Sequence, residues 1–221
     1  MQIEVSDRSK AEPNERIGEI IAILKAAYPA AKCTLDFTTC HQLLVAAILA
    51  AQCTDERVNE VTPGLFAQYP TVEAFANADQ AELEEMIKPT GFFRNKTRAV
   101  IESARQIVSD YGGEVPASID DLVKLSGVGR KTANLIVGVC YGRPAVIVDT
   151  HVMRVSRRLG LTTEKDPVKI EFDLRAILPE SDQTLFNHLI VAHGREICKA
   201  PTPRCEVCSL IELCPYGQQT L

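Results

Sequence analysis

At 221 residues, with a formal net charge of −5, 46% apolar and 24% charged residues, the chain has the composition of a soluble globular protein that can bury a core as one large domain or two small ones. The acidic balance excludes a uniformly basic nucleic-acid surface, and the longest apolar run, LLVAAILAA at 43–51, is too short to span a bilayer. Residues 1–21 lack the basic-then-apolar pattern of a leader, so an intracellular setting is expected, in which the eight cysteines are not read as disulfides.

The punctuation is helical nearly throughout, and tryptophan is absent. Asn14 is placed to cap a first helix that carries Ile17, Ile20, Ile21 and Leu24 on one face and stops at Pro29. CHQLLVAAILAAQ at 40–52 is apolar on every face and reads as a central buried helix. Thr54 caps TDERVNEVTPGLF; TVEAFANA and DQAELEEMI follow as short helices, the second with Asp79 and Glu82 spaced as a capping box. NKTRAVIESARQIVSDYGG is a longer amphipathic helix closing on glycine, and SIDDLVKL leads into LSGVGRKTANLIV. PAVIV at 144–148 is strand-like. Helices then resume with DTHVMRVSRRLG, with Asp166–Pro167 opening the next, and with DQTLFNHLIVAHGREIC. The fold class is all-α with roughly ten helices, and no Pro/Gly/Ser linker divides it.

Three features carry chemistry. From 124 to 158, Lys124, Arg130, Lys131, Arg143, Arg154, Arg157 and Arg158 face a single acid, Asp149, inside an acidic chain. A solvated helix face is the plain reading of such a run. The second feature is C-x6-C-x2-C-x5-C, from Cys198, Cys205, Cys208 and Cys214. Four thiolates suit zinc or an iron–sulfur cluster; the single close pair, where a zinc ribbon offers two, favours iron–sulfur. Cys33, Cys40, Cys53 and Cys140 sit singly, at core-like or helix-end positions, and receive no role.

The third is GVGRKT. It fails as a phosphate loop because Arg130 stands where glycine must precede the lysine, and as a dinucleotide fingerprint because Thr132 replaces the third glycine. What remains is a tight glycine turn, Gly127–Val128–Gly129, feeding a helix at Arg130. Such a turn presents backbone N–H groups to an anion and grips DNA through its phosphates. Lys131 is disfavoured there by the helix dipole. It holds a phosphate, attacks a carbon or merely solvates the helix start.

Together LSGVGRKTA, VDTHVMRVSRR and the cysteine spacing resemble the endonuclease III family of helix-hairpin-helix DNA glycosylases, over nearly the whole chain from LLVAAILAAQCTD through GFFRNKTRAV to Cys214. The resemblance implies a two-lobed fold: a six-helix barrel at 33–143, and a discontinuous domain of 1–32 and 144–221 holding a [4Fe–4S] cluster, with DNA in the cleft between them. It implies a monomer, cytoplasmic or nucleoid-associated, that binds double-stranded DNA with damaged bases or abasic sites and no membrane. The expected activity is removal of oxidised pyrimidines and strand cleavage by β-elimination through a Schiff base on Lys131. Asp149 would support an oxocarbenium-like centre or carry protons, and it also reads as a helix N-cap.

By position, Gln52 resembles the residue that fills the gap left by an extruded base. Phe92 stands where the family often has an aliphatic wedge, and Ser126 where it often has proline. Either residue of the first pair also reads plainly, Gln52 as a helix end and Phe92 as a core or loop aromatic. His151 is placed to line the cleft or to satisfy a buried hydrogen bond. His188 and His193 read as structural, and His41 shows no role. Lys199 and Arg204, in the cysteine loop, are expected near DNA phosphates. The adenine-mismatch relatives normally lack the hairpin lysine and carry a further domain. A non-catalytic iron–sulfur DNA-binding or redox-sensing module is the reading from another class.

Overall fold

Short polar side chains set where most helices begin. The side chains of Thr39, Thr54, Thr71, Asp79, Ser118, Asp149 and Asp166 each accept a backbone N–H from the first turn they precede, a device worth about 1 kcal/mol. The computed structural model describes residues 8–220; residues 1–7, where part of the leader reading and the start of the expected cluster domain fall, and residue 221 lie outside them.

Among the described residues there are twelve α-helices, some short 3₁₀ turns and no strand. The helices are α1 (Pro13–Ala27), α2 (Cys40–Leu49), α3 (Asp55–Gln68), α4 (Val72–Ala76), α5 (Gln80–Ile87), α6 (Phe93–Tyr111), α7 (Ile119–Leu122), α8 (Arg130–Tyr141), α9 (Thr150–Arg158), α10 (Pro167–Ile177), α11 (Gln183–Glu196) and α12 (Pro215–Gln218). None is long and apolar enough to cross a membrane.

Four local expectations change. Asn14 lies inside α1, which starts at Pro13 with Glu12 at the cap position and no side-chain cap; proline is pre-organised for that first helical position. PAVIV is not a strand. Its residues Ala145–Val148 are buried, but side chains of α11 take its carbonyls: Thr184 Oγ1 donates to Ala145 O at 3.3 Å and Asn187 Nδ2 to Ile147 O at 3.0 Å. The Asp79–Glu82 box is half made. Asp79 Oδ1 accepts from Glu82 N at 2.9 Å, while the Glu82 carboxylate takes Gln68 Nε2 and the Tyr69 hydroxyl. SIDDLVKL yields one helical turn, Ile119–Leu122.

Two compact units emerge, Cys33–Arg143 and a discontinuous one joining the chain up to Lys32 with the chain from Pro144. In the first, α6 packs on α4 and α5, and α2 on α8, around Leu43, Leu44, Phe75, Leu83, Ile107 and Ile136, all essentially inaccessible. In the second, α11 packs on α9 and α1 around Ile20, Leu24, Val152, Leu174, Phe186 and Ile190.

His41, buried in α2, meets Phe75 edge-on with ring centroids 5.1 Å apart, and burial pushes its pKa from 6.5 down to about 4. A base held neutral by the fold charges first in the unfolded chain. Stability is therefore lost as pH falls from about 6.5 through about 4, by roughly 3 kcal/mol for this one group. His41→Leu is expected to flatten that part of the acid limb in urea titrations; an unchanged acid limb refutes the assignment.

Candidate functional site

The glycine turn is built against α6. Gly127 has φ +75°, a conformation side chains resist, and a Cβ there would stand 2.6 Å from the Ala99 Cβ. Val128 is buried, and its N–H bonds Leu125 O at 3.1 Å. Ser126 N donates to Gln106 Oε1 at 2.8 Å and Ser126 Oγ to Glu102 Oε2 at 2.9 Å, so the serine that stands in place of proline adds a tie to α6. Gly129 is exposed and occupies the N-cap of α8 without a side-chain cap. No side chain caps the first turn of α8, the end at which a helix favours an anion. Arg130 is half-buried, and Lys131 is exposed in the first turn of α8. The residue order of the hairpin brings the phosphate-type donors and the amine into one turn.

Gln52 and Phe92 belong to the same unit and share an unusual backbone. They are the described non-glycine residues with positive φ, +54° and +48°, and both are exposed. Such a conformation costs on the order of 1–3 kcal/mol and persists only where surroundings enforce it. Phe92, 64% exposed, also stands at the N-cap of α6, where its carbonyl accepts from Asn95 N and Lys96 N. An aromatic ring held out in water at a strained position gains nothing from burial. The strain and the exposure were not legible, because neither residue is a glycine or asparagine, and Gly91 before Phe92 signals only its own turn.

In the discontinuous unit, Asp149 is the N-cap of α9: its Oδ1 accepts from Val152 N at 2.8 Å. A carboxylate offers a second oxygen, so capping leaves an acceptor for chemistry. The buried segment before it and the bonds from Thr184 and Asn187 fix its position. His188, on α11, is held below its ordinary pKa by burial, with the Asp149 charge opposing. His151 is half-buried, with its Nδ1 3.2 Å from Arg154 Nη2. A Cβ on Gly194 would come within 2.8 Å of that ring nitrogen. The glycine therefore lets α11 approach the histidine.

The basic run divides in a way composition concealed. Arg154 donates to Cys198 O at 3.0 Å and to Gly194 O at 3.2 Å. Arg158 donates to Lys199 O at 2.8 Å, Pro201 O at 3.1 Å and Cys198 Sγ at 3.3 Å, and its guanidinium lies 4.8 Å from the centre of the Tyr216 ring. These two cations brace the cysteine loop rather than a solvated face. Arg16, buried in α1, does likewise from below, donating to Leu159 O at 2.9 Å and to Leu213 O at 2.5 Å. Its residue type does not mark it as buried.

Cys198, Cys205, Cys208 and Cys214 line one cavity, with Arg158, His193 and Tyr216 on its walls. Among the described residues no three of His, Cys, Asp and Glu are grouped as a ready single-ion site. The surroundings suit a sulfur-bound group. Gly217 N donates to Cys214 Sγ at 3.4 Å, and a Cβ on Gly217 would come within 2.6 Å of the Ile211 Cδ1 and 3.6 Å of that sulfur. N–H donors at sulfur and a guanidinium alongside are what an anionic thiolate cluster requires. Burial pushes the Cys208 thiol up to about 11 and raises those of Cys205 and Cys214, so ligation there displaces protons. Lys199 and Arg204 are exposed on this loop.

Residues 45–180 match the family model of the HhH-GPD superfamily base excision DNA repair proteins. The chain is 50% identical over 212 residues to endonuclease III of Synechocystis sp., covering 96% of this chain and 97% of that one. It is 46% identical to endonuclease III of Bacillus subtilis, covering 87% and 88%. It is also similar to a solved trapped endonuclease III–DNA covalent intermediate, an estranged-adenine complex, at 39% identity and a TM-score of 0.88, covering 94% of this chain and 98% of that one.

Proposed function

The chain belongs to the endonuclease III family within the HhH-GPD superfamily of base excision DNA repair proteins, and from that premise we propose that it is a bifunctional DNA glycosylase and abasic-site lyase acting on oxidised pyrimidines in double-stranded DNA. The observation that carries this reading is the exposed Lys131 in the first turn of α8, two residues beyond a glycine turn that no side chain caps. A relative of the same family forms a covalent complex with DNA, and an amine is the side chain that makes an imine with a sugar carbon.

The roles are assigned within each unit. The turn Gly127–Val128–Gly129, with Arg130, seats a phosphate through backbone and charge. Gln52 and Phe92 occupy and wedge the stack from which the base leaves, at a cost of a few kcal/mol that binding must offset. Lys131 Nζ attacks C1′ as the glycosidic bond breaks and the base departs. Ring opening gives the Schiff base, and loss of the C2′ proton expels the 3′ phosphate. Asp149 supplies a carboxylate of the kind that supports an oxocarbenium-like centre, or carries protons, through the oxygen not used in capping. His151 and the basic residues Lys199 and Arg204 extend the DNA contact.

Cys198, Cys205, Cys208 and Cys214 would hold a [4Fe–4S] cluster, which supplies a crosslink that orders the loop of Lys199 and Arg204. In domain terms, 33–143 is the barrel domain carrying the hairpin, and 1–32 with 144–221 is the cluster domain. The setting is the cell's own DNA.

A duplex carrying one thymine glycol tests the reading. Released base and a strand cut with a 3′ unsaturated aldehyde are expected, from brown protein containing iron and sulfide in equal amounts. Intact DNA after binding would leave the non-catalytic module, and colourless protein with stoichiometric zinc would overturn the cluster.

A further inference from the structure

Lys96 is a buried lysine with no place in the chemistry above. Only 5% of it is exposed, on the inner face of α6. Its ammonium donates to Leu49 O at 2.7 Å and to Thr90 O at 2.7 Å. Burial lowers its pKa, and the neighbouring Cys53 opposes that shift. Removing an ammonium from water costs several kcal/mol unless its hydrogen bonds are well made. An apolar side chain of the same length would fill the space without that cost, so the charge is retained for what it bonds.

Both acceptors end helical segments. Leu49 is the last residue of α2, and Thr90 the last of the 3₁₀ turn Lys88–Thr90. Carbonyls at such ends lack intrahelical partners and carry the negative end of the dipole. Each segment then delivers the chain, within three residues, to a left-handed non-glycine: Gln52 after Leu49, Phe92 after Thr90. One nitrogen thus ties together the roots of both strained loops. Thr90 is itself buried, its hydroxyl bonded to Ile87 O at 2.8 Å, so the second root is fixed from two sides.

We propose that Lys96 is a positioning residue whose buried ammonium holds the Gln52 and Phe92 loops in a single pose for base extrusion. The proposal rests on the assignment of those two residues to the gap in the stack. Lys96 itself touches neither DNA nor the reacting atoms.

The test separates extrusion from chemistry. A duplex with 2-aminopurine beside the lesion reports extrusion by its fluorescence. A single-stranded abasic oligonucleotide, with no base to extrude, reports the amine chemistry by borohydride trapping. In Lys96→Met, extrusion and single-turnover base release are expected to fall roughly tenfold or more, while single-strand trapping per folded molecule stays within about twofold. Lys96→Gln, which keeps a donor, should recover part of the loss.

Wild-type extrusion in Lys96→Met overturns the proposal, and so does an equal fall in both readouts, since a purely structural lysine affects them alike. If the methionine variant does not fold, the same split measured in Lys96→Gln decides. Gln52→Ala and Phe92→Ala are the controls. Normal extrusion in both refutes the gap assignment; impaired extrusion in both beside a normal Lys96→Met refutes the clamp alone.

Discussion

Lys131→Ala protein is expected to yield no borohydride-trapped adduct with abasic-site DNA, with strand cleavage down by on the order of 10³ or more. No neighbouring side chain in the turn substitutes, since forming an imine requires a primary amine. The fold should not suffer. The residue is exposed, and a cation in the first turn of a helix opposes the dipole. Thermal stability should therefore hold or rise slightly, within about 0.5 kcal/mol. Lys131→Arg completes the argument. It keeps the charge and any phosphate contact, so DNA affinity should survive while the adduct disappears. An adduct in either variant would move the nucleophile elsewhere; affinity lost in the alanine variant and restored in the arginine variant would add a phosphate clamp to the role of Lys131.

Asp149→Asn and Asp149→Ala are expected to part company. Asparagine caps a helix as well as aspartate, so the bond to Val152 N and the stability should both survive. Alanine forfeits the cap, at about 1 kcal/mol. Both lose the carboxylate, and single-turnover base release should fall by about 10²–10⁴ in each. The activity loss is thus common to the pair while the stability loss is not. An asparagine variant with full activity would reduce Asp149 to a cap.

How far the chain was legible follows from what each residue announces about itself. Thr54, Asp79 and Asp166 reveal helix starts, because a short acceptor before an apolar period has one favourable use. The hairpin was legible because Gly127 is required by a positive φ and a close approach to Ala99. PAVIV misled because β-branched residues suit any buried extended segment, and its carbonyls found side chains of α11 instead of a partner strand. Asn14 misled because Pro13 starts a helix without a side-chain cap.

The cations were opaque for another reason. Arg16, Lys96, Arg154 and Arg158 look like surface residues by type. Their burial or bracing depends on carbonyls distant in sequence, such as Leu213 O for Arg16 and Cys198 O for Arg154. Gln52 and Phe92 were placed by their motifs, but their strained backbones lie outside what side-chain chemistry can signal.

The packing of the glycine turn on α6 has a metrical consequence. Phe92 stands at the head of that helix, and the turn is fastened to it at Ala99, Glu102 and Gln106. From Phe92 to Ala99 a helix advances roughly 10 Å, about three base steps of duplex. A helix is stiff on that scale, so α6 works as a gauge block: under the roles proposed above, a phosphate seated at the turn would fix which nucleotide Phe92 can address. Searching DNA would then become stepping in register, with each backbone grip presenting one base for inspection.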